Sequence, residues 1–322
     1  MTAVTATAAA EHCHACGGPM GVVRHSVAWH LDVGRCRGCG TVSVLGAAGI
    51  VAEDIQSVAS GGEAAQTDWE VYADTMHTRE VVRHEVLDEL RARAATRASE
   101  LRLFDVGAGT GGFLDMARSR GFRIAGNDIS QSAVDHAAAR YGIELSTRDL
   151  DEQPAQSVDV LTMWCVIAHV GDPSAFLASA WRMLRPGGVL FLRTPRWCLA
   201  DAVGVAAARV GRRRLATLAD QRVTRGHLHL YRDRGMERML DRLGYVDVDV
   251  QPVTHTGCTG AEIASRLGAS GEAQQRLSRV IDRTLSSRAA PRNTMFVYAR
   301  RPGGASTGDA RINDARRRTS RS

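Results

Sequence analysis

The stretch 103–114, LFDVGAGTGGFL, decides how this chain folds. An apolar run carries Asp105 near its end, and Gly107, Gly109, Gly111 and Gly112 then break it before an amphipathic segment of helical spacing. A strand that opens into a glycine turn and restarts as a helix lets the backbone approach a ligand closely. It also aims the helix-start N–H groups at that ligand. Spacing alone leaves two ligand classes open, because Gly107, Gly109 and Gly112 also satisfy the GxGxxG of dinucleotide-binding turns. Asp105, two residues before the first glycine, separates them. A carboxylate there repels a pyrophosphate and suits an ammonium group.

Working outward, further motifs follow in order. IAGNDIS (124–130) puts Asp128 at the end of a second strand, and STRDL (146–150) puts Asp149 and Leu150 just after a third. VDVLTMW (158–164) reads as a fourth strand, HVGDP (169–173) follows it, and LRPGGVLFL (184–192) turns into a fifth. Together these resemble the class I S-adenosylmethionine-dependent methyltransferases, whose first motif reads (D/E)xGxGxG. The resemblance implies that Asp105, Gly107, Gly109 and Gly111 face the methionine moiety of S-adenosyl-L-methionine. It further implies that Asp128 grips the ribose hydroxyls and that Asp149 and Leu150 border the adenine. Alternating strands and helices predict an α/β fold: a Rossmann-like, seven-stranded, mostly parallel sheet with helices on both faces.

Ahead of this core, Cys13-x2-Cys16 and Cys36-x2-Cys39 are each followed by a glycine, Gly17 and Gly40. Each C-x-x-C-G can form a tight knuckle, and VVRHSVAWHLDV between them fits a hairpin that brings the pairs together. Four thiolates make a closed tetrahedral Zn2+ site, structural because no position remains for water. Residues 1–46 are therefore expected to be a zinc ribbon. His12 and His14 flank the first cysteine as bystanders; Cys165, Cys198 and Cys258 share no pair spacing, although Cys165 closes the fourth strand.

Composition bounds the rest. All 41 basic residues are arginine, so neither a lysine Schiff base nor a lysine general base is available. The net charge of +6 is concentrated at the end, where six arginines and two aspartates from Arg301 onward leave +4. Residues 303–322 are expected to be a disordered Arg-rich tail. No apolar run approaches the ~20 residues of a membrane span, and MTAVTATAAA lacks a charged start, so a cytoplasmic protein is expected.

Residues 47–68, rich in Gly, Ala and Ser, read as a linker, and residues 69–302 as the methyltransferase-like domain. Val81, Val82, Val86, Leu87 and Leu90 make one face of a helix before the first strand, from which Tyr72 or Arg79 could close over the cofactor. Ser130 and Asp172-Pro173 mark helix starts, Gly142 a helix end, and Gly187-Gly188 the end of the helix after strand four. Insertions near 195–229 and 253–290, the second carrying Leu277, Val280, Ile281, Thr284 and Leu285 at helical spacing, suit either an acceptor pocket or a homodimer contact.

For the chemistry, His169 lies just after strand four, at the carboxyl edge where open α/β sheets bind ligands. WCVIAHVGDP is similar to the xxxEHVxDP stretch of ubiquinone-type O-methyltransferases, with Ala168 in place of the glutamate. His169 is thus the first candidate for a base or orienting group, and His229 of RGHLHLYR the second. At most one of His227 and His229 is expected to face the pocket, and His229 would share a face with Tyr231. The expected partner is a small-molecule methyl acceptor; with Ala168 in the glutamate's place, no carboxylate stands beside the histidine to assist a divalent metal or a base. An RNA methyltransferase is the alternative, disfavoured because Arg24, Arg35 and Trp29 alone make no basic-aromatic face on the ribbon. A non-catalytic scaffold docking a partner through the ribbon is a third reading.

Overall fold

A computed structural model of the chain describes residues 12–26, 31–46, 80–94, 100–209, 227–254, 260–287 and 290–303. The expected linker, Tyr72, Arg79, Trp29, Cys258 and the Arg-rich tail lie outside these residues.

The N-terminal unit contains β1 (Met20–Ser26), β2 (Leu31–Cys36) and β3 (Val42–Val44). β1 pairs antiparallel with β2, and β2 with β3. The core follows with α1 (Glu80–Arg93), β4 (Leu101–Val106), α2 (Gly112–Ser119), β5 (Phe122–Asn127), α3 (Gln131–Tyr141), β6 (Val158–Trp164), α4 (Pro173–Met183) and β7 (Leu184–Pro195). It continues with α5 (Leu199–Arg209), β8 (His229–Leu230), α6 (Asp233–Arg242), β9 (Val246–Val253), α7 (Gly260–Arg266), α8 (Gly271–Leu285) and β10 (Thr294–Arg300).

The main sheet runs β5-β4-β6-β7-β10-β9, with β4, β5, β6 and β7 parallel and β10 antiparallel to both neighbours. β4 and β6 are interior strands and are buried almost throughout, as expected for strands covered on both faces. On one face Leu161, Met163, Leu190 and Leu192 pack with Leu177, Met236 and Leu240. On the other, Leu103, Val160 and Phe191 pack with Leu87, Leu90, Leu114 and Ala137. The helix before the first strand buries Val86, Leu87 and Leu90, while Val82 faces solvent.

Two expectations are corrected. Among the described residues the main sheet has six strands, not seven. The expected third strand is reduced to one parallel bridge, Ser146 to Asn127, before the chain turns away and Asn127 Nδ2 donates to the Arg148 carbonyl. Gly187 and Gly188 also do not end the helix after strand four. That helix stops at Met183, and Leu184 already pairs with Val158, so the glycines lie inside β7.

Helix starts fall where the sequence put them. Asp172 caps α4 by accepting from Ser174 N and Ala175 N at 3.0 and 3.1 Å, with Pro173 in the first turn. α3 begins after Ser130 and closes at Gly142, although the Ser130 side chain makes no capping bond. α8 exists as expected, but buries none of its residues, and Val280 is 62% exposed.

The ribbon is joined to the core through its sheet. β3 pairs with β8, Val42 opposite Leu230 and Ser43 opposite His229, giving a four-stranded sheet β1-β2-β3-β8. Cys13, Ala15, Cys36 and Cys39 also share one buried cluster with Tyr231, Met236, Met239 and Leu240. The segment between α5 and α6 therefore supplies the ribbon with its fourth strand.

Candidate active site

The glycine turn leaves β4 at the carboxyl edge of the sheet. At Gly107, φ is +63°, and a Cβ there would lie 2.8 Å from Val166 Cγ2, so only glycine lets this turn pass under the loop after β6. Gly109 N donates to Asp128 Oδ2 at 2.8 Å, while Ser130 N donates to Asp128 Oδ1 at 2.9 Å. Two backbone donors therefore fix the Asp128 carboxylate at the end of β5.

A cavity of about 610 Å³ opens beside this turn. Its wall brings together Gly107, Asp128, Asp149, Leu150, Cys165 and His169. The volume falls within the range of small-molecule sites. Asp105 is not on the wall. It is 2% exposed beneath the turn, and Thr162 donates to it at 2.6 Å. Burial pushes its pKa up to about 7, against the opposing effects of the Thr162 hydrogen bond and the Arg83 charge. Gly109 and Gly111 shape the turn without lining the cavity.

The two histidine candidates part company. His169 faces the cavity, its N–H held by the Val166 carbonyl at 2.8 Å. His229 is 1% exposed and lies away from it. Its Nε2 is 2.9 Å from the Val170 carbonyl, which can only accept, so Nε2 carries the proton. Nδ1 then accepts from Ser43 Oγ at 2.9 Å. Burial lowers the His229 pKa to about 4, keeping the ring neutral. Both ring nitrogens are occupied in joining the ribbon to the active-site loop.

One of the pair faces the site, but it is His227 and not His229; His227 lies before β8, so the period of two, which would set both on one face, does not extend to it. His227 turns toward the site: its Nε2 is 3.5 Å from Cys165 Sγ, and its ring centroid is 4.9 Å from that of His169. A period of two cannot part residues 227 and 229; what parts them is that β8 begins at His229, where it pairs with Ser43.

In the ribbon, Sγ of Cys13, Cys16, Cys36 and Cys39 all lie within 4.8 Å of one another. The Cys13–Cys39 and Cys16–Cys36 separations, 3.6 and 3.4 Å, approach the ~3.8 Å edge of a tetrahedron with Zn–S bonds of about 2.3 Å. They are far longer than a disulfide bond. The donor set and its spacing fit a zinc ribbon.

A family model described as a methyltransferase domain matches residues 77–250, more than half of the chain. The chain belongs to the methyltransferase-domain family. The matched span holds the glycine turn, Asp128, Asp149, His169 and both histidines of the β8 segment. The chain is 34% identical over 116 residues to a protein of Mycolicibacterium smegmatis designated a probable S-adenosylmethionine-dependent methyltransferase, covering 35% of this chain and 44% of the relative. It is 35% identical over 113 residues to the ubiquinone biosynthesis O-methyltransferase of Parvibaculum lavamentivorans, covering 33% of this chain and 44% of the relative. Among solved structures, phosphoethanolamine N-methyltransferase 2 of Haemonchus contortus aligns with a TM-score of 0.46 and 18% identity, covering 68% of this chain and 52% of that one. The chain thus spans under half the length of these two curated relatives. Among the described residues, no helix is long and apolar enough to cross a membrane.

Proposed function

We propose that the protein transfers a methyl group from S-adenosyl-L-methionine to O, N or C of a small metabolite, such as a specialised metabolite or sugar nucleotide. The observation that carries this reading is the glycine turn clamped to Asp128 on the wall of a cavity that also holds His169. When bound, the cofactor would supply a methyl group already activated by its sulfonium. The Asp128 carboxylate would receive the ribose hydroxyls, Asp149 and Leu150 would border the adenine, and the Gly107–Gly111 turn would admit the methionine moiety. Asp105 would act from beneath the turn, its negative charge favouring the ammonium without direct contact.

The chain's main task in such a displacement is alignment and exclusion of water. His169, in the loop after β6, is placed to take the acceptor's proton or to orient its nucleophilic atom. We assign His229 a structural role in place of a catalytic one, and give the second position at the acceptor to His227. The four ribbon cysteines would hold one structural Zn2+ that stabilises the seam with α6. We favour a small-molecule acceptor over RNA and place the protein in the cytoplasm, where its thiols stay reduced.

Incubation with methyl-labelled S-adenosylmethionine and small-molecule extract, beside a parallel sample of total RNA, tests the reading. Label in a small-molecule fraction is expected. Label confined to RNA, declining steeply with salt, would transfer support to the RNA reading.

A further inference from the structure

A second group of metal-ligating side chains lies inside the candidate active site. Cys165 directly follows β6 with φ of +68°, a left-handed conformation that residues other than glycine rarely adopt. Its N–H is tied to the Arg193 carbonyl at 2.8 Å. His169 stands one turn further along the same loop. His227 arrives from the segment before β8, positioned by Leu228 N donating to the Ala168 carbonyl at 2.7 Å. Two stretches far apart in sequence thus deliver one sulfur and two imidazole nitrogens to one point.

Cys165 Sγ is 3.9 Å from His169 Nε2 and 3.5 Å from His227 Nε2, and the three ligand atoms lie within 4.8 Å of one another. A tetrahedral ion with Zn–S of about 2.3 Å and Zn–N of about 2.05 Å needs S···N edges of about 3.6 Å. The observed edges bracket that value. We propose that Cys165, His169 and His227 bind a divalent zinc ion, distinct from that of the ribbon, with its fourth position open to the cavity.

The donor set and the site's position support the same conclusion. One thiolate and two imidazoles favour zinc over magnesium or calcium, which take oxygen ligands. Three protein ligands with one position left are the pattern of catalytic zinc, whereas the ribbon's four cysteines close their site. Cys165 and His169 both line the cavity that carries Gly107, Asp128 and Asp149, so the open position faces the place where an acceptor would sit. The left-handed backbone at Cys165 is then understandable as strain retained at a functional site.

The site also narrows the acceptor class, a consequence that rests on the methyltransferase reading. The acceptor is a hydroxyl compound. Its O–H proton is lost to solvent as the oxygen binds the ion, whose charge lowers its pKa. The bound oxyanion then forms the new bond to the methyl carbon while the carbon–sulfonium bond breaks, its electron pair returning to sulfur. The neutral ether leaves the metal. His169 acts here as a metal ligand that orients the acceptor, not as the proton acceptor.

The test is metal stoichiometry of the full chain. Metal-free protein is equilibrated with Zn2+, and separately with Co2+ to read thiolate-to-cobalt charge transfer. Two ions are expected per wild-type chain, one each for Cys165→Ser and His227→Ala, and one for Cys36→Ser. The two active-site variants should keep the wild-type melting profile of the ribbon-bound protein. One ion per chain, abolished by Cys36→Ser and untouched by Cys165→Ser and His227→Ala, would overturn the proposal. S-adenosylmethionine titration of the same samples separates the two readings. Cofactor binding with one metal sinks only the second site, and two metals without cofactor binding sinks only the methyltransferase reading.

Discussion

Gly109 donates its backbone N–H to Asp128 Oδ2 at 2.8 Å, tying the turn after β4 to the end of β5. The bond joins the two sequence motifs proposed to receive the cofactor, nineteen residues apart. It holds a carboxylate rigidly at the cavity wall, since Ser130 N engages the other oxygen. A hydrogen bond to a charged group is worth about 1.5–3 kcal/mol. Asp128→Ala should therefore loosen the turn as well as remove the ribose partner. We expect S-adenosylmethionine affinity to drop ~10–100-fold and the melting temperature to fall by roughly 3–10 °C, measured by calorimetry and thermal denaturation.

His169→Ala should leave cofactor affinity unchanged and lower turnover by roughly two to four orders of magnitude. This outcome is expected whether the imidazole takes a proton or orients the acceptor. Wild-type turnover in the variant would leave the histidine as no more than a loop anchor.

His229→Ala should behave in the opposite way. It leaves the Ser43 hydroxyl and the Val170 carbonyl unpaired beside a new cavity, two effects that together cost about 2–5 kcal/mol. The expected result is a large fall in melting temperature. Normal stability would show that the seam between ribbon and loop relaxes without it.

How much of this was legible in the sequence depends on the kind of contact. Strand β6 and the capped start of α4 follow from local patterning, and the sequence placed both residue for residue. Asp128 and the glycine turn were readable because strand order and turn chemistry determine them together. The third strand was not, because pairing along β5 stops at Ser146, where Asn127 captures Arg148. His229 and His227 are likewise indistinguishable by period. What separates them is the pairing of β3 with β8, across 186 residues of sequence from Ser43 to His229. The ribbon's attachment to the core was hidden for the same reason.

Removing the ribbon metal should destabilise more than the ribbon. Gly235 of α6 packs so tightly that a Cβ there would meet Thr41 Oγ1 at 2.2 Å, and the cysteines share a buried cluster with Met236 and Leu240. Cys36→Ser should release one zinc ion and lower the melting temperature of the whole chain in one transition. Two separate transitions, with only the first shifted, would show that the ribbon folds independently.

Asp105 sets a pH dependence of opposite sign for stability and for binding. Its pKa rises from 3.8 to about 7 in the folded chain, so between these values the native state holds a proton that the unfolded state has lost. Stability of the cofactor-free protein from this group is therefore full below about pH 4 and declines as pH rises through 7, by up to the order of 4 kcal/mol. A cationic cofactor favours the ionised form. Affinity should rise as pH climbs toward 7, about tenfold per unit below it, and level off above. Asp105→Asn should flatten both profiles; unchanged profiles would assign them to other groups.

The central claim is that the turn and Asp128 receive S-adenosylmethionine. Its most direct test is calorimetric titration of the full chain with S-adenosylmethionine, S-adenosylhomocysteine and NAD. The account predicts one cofactor bound per chain, displaced by S-adenosylhomocysteine, weakened by Asp128→Ala, and no heat with NAD. Saturable NAD binding together with no response to S-adenosylmethionine would contradict it.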